Sequence, residues 1–128
     1  MPKAITHQLD IYGVHLHLAT DRRQWSTLRR KLTFLDKTVD HLGLTTFATW
    51  VPNKPGASIP YLVFWIDLAA HATDADLINT LAHEASHGAG QVLDWVSHKV
   101  PGTDEPHAYL VGWLTEWLWT GCLAHRAG

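Results

Sequence analysis

The chain has 128 residues and a mass of 14.4 kDa, enough for one modest domain with a single hydrophobic core and no obligatory staple. Its 46% hydrophobic and 17% charged residues argue against disorder, and a formal net charge of −2 with both signs spread along the chain argues against a dedicated nucleic-acid binder. A lone cysteine, Cys122, excludes an internal disulfide framework and a multi-cysteine zinc knuckle. The opening MPKAITHQLD lacks the apolar stretch of a signal peptide. The greasiest run, YLVFWIDLAA, contains Asp67 and is too short to span a bilayer. The expectation is a single soluble domain over 1–128 in a reducing cytoplasm, with no membrane and no nucleic acid as partner.

In chain order, IYGVHLHLA alternates, with Tyr12, Val14, Leu16 and Leu18 on one face, which predicts a strand over 10–19. Thr20 or Asp21 then caps a helix reaching about residue 40, with Trp25, Leu28, Leu32, Leu35 and Val39 as its apolar stripe. Its basic residues form a solvated face. Gly43 reads as the residue that ends this helix. LTTFATWV is the next strand, VPNKPGASIP a loop, and YLVFWIDL a third strand that pairs antiparallel with the second. Thr73, followed three residues later by Asp76, opens a helix over 74–97 whose broad apolar arc includes Leu77, Leu81, Ala85, Ala89 and Val92. Thr103 or Asp104 caps a last helix to about Gly121, with Pro106 tolerated in its first turn. The order strand, helix, strand, strand, helix, helix gives a small α+β domain with a largely antiparallel or mixed sheet, rather than repeated βαβ units.

The chain is rich in histidine, with ten, and in tryptophan, with seven. Trp113, Trp117 and Trp119 crowd the last helix, more than a small core readily buries, and raise self-association as an alternative to plain core packing. The motif that carries chemistry is His83-Glu84-Ala85-Ser86-His87. Histidines four apart on a helix share a face, so both imidazoles can reach one ion. Zinc suits such ligands, and a catalytic zinc keeps three protein ligands and a water. Glu84 then lies beside the pair, placed to take a proton from that water. The only other glutamates are Glu105 and Glu116. Glu105, in the first turn of the last helix, is the leading third ligand, with His107 and Asp104 as competitors. Tyr109 can donate to a developing oxyanion or fill the core. Glu116 can orient a ligand histidine or stand exposed, and His98 can overhang the cleft or lie on the surface. Without a metal, His83 and His87 are ordinary helix-surface histidines.

LVFWIDLAA, LINTLAHEASHGAG and DEPHAYLVGWLTEWL together resemble the gluzincin type of zinc metallopeptidase. More narrowly, they look like the compact peptidase-like domains encoded by tailed bacteriophages and prophages. The resemblance covers roughly residues 44–120 and implies a minimal zincin-like fold. It implies His83, His87 and Glu105 as ligands of Zn2+, Glu84 as general base, and a strand around Leu62–Ile66 bordering the cleft and pairing with an extended polypeptide substrate. The expectation is a zinc metalloendopeptidase. The alternative is a zincin-fold phage accessory or assembly protein with structural zinc or vestigial activity, acting as a homo-oligomer or with a phage protein partner.

Overall fold

The computed structural model describes residues 2–51, 58–96 and 105–128. Two strands, β1 (Ile5–Leu9) and β2 (Val14–Ala19), form an antiparallel hairpin. The helix α1 (Arg22–Lys31) follows, then strands β3 (Gly43–Trp50) and β4 (Ile59–Ile66), and finally the long helices α2 (Asp74–Trp95) and α3 (Glu105–Ala127). The sheet order is β1-β2-β4-β3, with β2 and β4 parallel and the two outer pairs antiparallel. The result is a mixed α+β fold, a four-stranded sheet packed against three helices.

The hairpin replaces the expected single strand over 10–19. Residues 10–13 make the turn, where Gly13 at φ 68° adopts a left-handed conformation that a side chain would penalise. Beyond it Val14, Leu16 and Leu18 are fully buried, as their alternation predicts. β1 escaped the reading because a histidine occupies the middle of its core-facing set Ile5, His7, Leu9. His7 fits there by lying against Trp113 and Trp117, at ring-centroid distances of 5.4 and 6.5 Å.

α1 is about half the expected length. Asp21 caps it by accepting from the Gln24 N–H, and it closes at Leu32 rather than near residue 40. Leu32, Leu35 and Val39 are nevertheless buried, carried by an irregular segment. That segment is held by two indoles: Trp25 Nε1–H donates to the Asp36 carbonyl at 2.9 Å, and Trp65 Nε1–H to the His41 carbonyl at 2.7 Å. The apolar spacing was therefore real but did not require a helix. Gly43 likewise opens β3 rather than ending α1. A Cβ there would stand 2.8 Å from Thr80 Cγ2 and 2.9 Å from Glu84 Cγ, so glycine is what lets α2 lie this close to the sheet.

The two sheet faces differ. Leu16, Leu18, Leu62, Phe64 and Ile66 meet Leu77, Leu81, Ala85, Ala89 and Val92 of α2 and Leu114 and Leu118 of α3 in the main core. On the opposite face Ala19, Val63 and Trp65 pack under Trp25, Leu28, Leu32, Leu35 and Val39. Thr73 caps α2 by accepting from the Asp76 N–H at 3.1 Å, as its spacing predicts. The proposed caps of α3, Thr103 and Asp104, and the loop histidine His98, lie outside the described residues, as does most of the β3–β4 loop. α3 runs beyond Gly121 to Ala127, where Arg126 pairs with Asp74 at 2.8 Å. Among the described residues no helix is long and apolar enough to cross a membrane.

Candidate functional site

α2 presents its histidine motif at the open side of the sheet. His83 and His87 are exposed, and their Nε2 atoms stand 3.2 Å apart with the rings edge-on. Glu84 faces the other way. It is only 6% exposed and lies under β3, where the Thr45 hydroxyl donates to its Oε1 at 2.8 Å and approaches its carbonyl oxygen at 3.1 Å. The four-residue spacing of the motif speaks only for the two histidines; Glu84 belongs to the sheet-facing arc together with Leu77, Leu81 and Gly88. Its second oxygen, Oε2, is 3.9 Å from His83 Nε2.

A cavity of about 370 Å³ opens here, lined by His41, Leu42, Gly43, Asn79, Thr80, His83 and Glu84. Its Thr80 wall is fixed from behind by His71. That imidazole meets the Asp67 carbonyl through Nδ1 and the Thr80 hydroxyl through Nε2, both at 2.7 Å. A carbonyl only accepts, so Nδ1 carries the hydrogen of that bond. His71 and Thr45 were not singled out by sequence, since their roles depend on what the fold brings beside α2.

These positions correct the metal expectation. Among the described residues, no group of three or more His, Cys, Asp or Glu side chains stands where it can hold one metal ion. The two imidazoles converge, but Glu84 is committed to Thr45, and Glu105 is exposed at the start of α3 without joining them. A catalytic zinc needs three protein ligands, so the described residues do not fit Zn2+. The zinc metalloendopeptidase, the accessory alternative with its structural zinc, and the gluzincin assignment that joined them are overturned with it. Tyr109, the expected oxyanion donor, is 77% exposed on α3.

The cleft strand is also reassigned. β4, which contains Leu62–Ile66, is interior, paired to β2 on one side and β3 on the other. The free edge beside the cavity belongs to β3. Its phase follows from the Asp67 N–H, which donates to the Leu42 carbonyl at 2.9 Å. That makes the even-numbered residues of β3 the ones bonded to β4, and directs the main-chain groups of Gly43, Thr45, Phe47 and Thr49 outward. Pro60 conforms: it stands opposite Thr49, where β3 asks nothing of its missing N–H.

No family model, curated protein or solved structure matches this chain.

Proposed function

We propose that this domain binds an extended polypeptide by strand addition to the outer edge of β3. The observation that carries the reading is the row of outward main-chain groups at Gly43, Thr45, Phe47 and Thr49, among the described residues paired with no other strand and ending at the Glu84 cavity. An unpaired edge offers a ready ladder of donors and acceptors to another chain. Main-chain bonds supply affinity without reading sequence, and the cavity supplies selectivity. Glu84 Oε2, not taken by Thr45, and the imidazole of His83 select a ligand group that donates hydrogen bonds, such as a lysine ammonium.

The test is backbone NMR with a pool of unstructured heptapeptides carrying a central lysine. Bound peptide slows amide exchange at Gly43, Thr45, Phe47 and Thr49 while leaving the already bonded even-numbered residues unchanged. Thr49→Pro removes one outward N–H and no bond to β4, so it weakens binding by about tenfold with the fold intact. Absence of new protection along this edge, or binding indifferent to Thr49→Pro, defeats the reading.

A further inference from the structure

The second concentration of histidine lies on the other face of the sheet, far along the strands from α2. Thr6 and Gln8 of β1 pair with His17 and His15 of β2, and His15 pairs with Tyr61 of β4. Alternation puts all five side chains on the α1 side. Their rings form a stack: Tyr61 contacts His17 nearly face to face at 5.8 Å, at an angle of 26°, and His15 at 5.4 Å. Phe34 and Trp50 support Tyr61 from behind at 5.9 and 6.2 Å. A cavity of about 460 Å³ opens beside the two imidazoles along β1 and β2, lined by Thr6, His7, Gln8, His15, Leu16 and His17, with Tyr61 outside it.

His17 lines this cavity, yet both of its ring nitrogens are buried without a hydrogen-bond partner. Such orphans are few in folded proteins; being buried, they lie out of a ligand's reach, and what His17 offers the cavity is the rest of its ring. Burial, with smaller repulsion from neighbouring His15 and Lys31, pushes its pKa down to about 4, so the ring is neutral and suited to stacking at neutral pH. A second cavity, of about 420 Å³, shares Thr6 with the first and is lined by Lys3, Arg23 and Lys31 among its polar groups. No carboxylate lines either cavity. An aromatic and imidazole platform with polar amide and hydroxyl neighbours thus adjoins a pocket of three cations.

We propose that these adjoining cavities bind a nucleoside phosphate, its base against the imidazoles of His15 and His17, which Tyr61 backs, and its phosphate among Lys3, Arg23 and Lys31. Stacking accepts any base because every base has a π face, and Gln8, Thr6 and His15 supply donors and acceptors for its edge. The three cations match a phosphate dianion in sign and in hydrogen-bonding capacity. The near-neutral chain as a whole gives no hint of this, because its net charge says nothing of where the cations gather.

Calorimetric titration of the whole chain with nucleoside monophosphates, inorganic phosphate and a short oligouridylate tests the proposal. A nucleotide is expected to bind at least about tenfold more tightly than inorganic phosphate. Lys31→Ala weakens nucleotide and phosphate alike, by about tenfold at low salt. His15→Ala weakens the nucleotide by a similar factor and leaves phosphate unchanged, which a general loss of folding would not do. Saturation by mononucleotides supports a free nucleotide as the ligand. Saturation by the oligonucleotide alone supports a nucleotide unit of a single strand. Binding of neither, phosphate binding as tight as nucleotide binding, or indifference to both variants overturns the proposal.

Discussion

The α2 face and the α1 face of this sheet are built on different principles, although the same strands supply both. On the α2 side two long helices lay a nearly unbroken set of aliphatic side chains on Leu16, Leu18, Leu62, Phe64 and Ile66. The polar Glu84 enters that layer with a partner, Thr45. On the α1 side a ten-residue helix and an irregular segment cover one end of the sheet, with Trp25 and Trp65 edge to face at 6.0 Å. At the other end, imidazoles line a cavity, and the ring nitrogens of His17 are left without a hydrogen-bond partner. The closed face supplies stability and fixes the α2 cavity beside the edge of β3. The half-covered face retains room beside its rings and imidazoles, which is what a small-ligand site needs.

The sharpest way to break this contrast is a pair of core truncations. Leu81→Ala, on the closed face, should cost about 3–5 kcal/mol, because rigid neighbours on both helices cannot collapse into the void. Leu35→Ala, on the irregular segment, should cost about 2 kcal/mol, since a non-helical chain relaxes more readily. Urea denaturation of the two variants measures the difference, and equal losses would remove the contrast.

A smaller effect probes how closely α2 approaches β3. Gly43→Ala drives a methyl into Thr80 and Glu84 and should cost about 1–3 kcal/mol by overpacking. It should also displace the His83 and His87 resonances, because the same turn of α2 carries them. A neutral variant with unmoved histidine signals would show that the contact at Gly43 does not set the position of the motif.

The smallest effect is electrostatic and belongs to the open face. His17 titrates near 4 in the folded protein against 6.5 in the unfolded chain, its ionised form disfavoured first by burial. Between those values the unfolded chain holds a proton that the folded one does not, so stability rises with pH through that window. It is greatest above pH 6.5 and falls as the pH drops toward 4. Solvent reaches part of the ring and screens the penalty, leaving on the order of 1 kcal/mol. Thermal melts from pH 7 to 4 read this slope, and in His17→Phe it should flatten relative to the parent chain. An unchanged slope would place the titrating group elsewhere.

Much of the architecture was legible because it rests on local signals. The periodicity of Val14, Leu16 and Leu18, the cap at Thr73 and the antiparallel pairing of β3 with β4 are each set by residues near one another in the chain. What escaped was set at a distance. β1 was hidden because an exposed His7, lying against the tryptophans of α3, breaks the apolar alternation between Ile5 and Leu9. The early end of α1 was hidden because Leu32, Leu35 and Val39 keep helical spacing while two indole donors hold them in an irregular path. The candidate site divides the same way. The convergence of His83 and His87 is a property of one helix and was readable from their four-residue spacing. A third ligand had to come from another helix, and spacing carries no information about where Glu105 ends up.

By itself, then, the sequence determined that the fold is of the α+β class, that α2 buries one arc and shows two histidines on another, and that no excess charge dominates the chain. Those properties follow from hydrophobic periodicity, capping and composition, which act over a few residues. Only the tertiary structure decided that Glu84 turns in to Thr45 rather than out beside the histidines. It decided too that β3 rather than β4 is the free edge, and that His15, His17 and Tyr61 stack beside a pocket of cations. Each of these depends on strand order and on the direction from which a distant element arrives. Side chains far apart in the chain meet only after the sheet has closed its register.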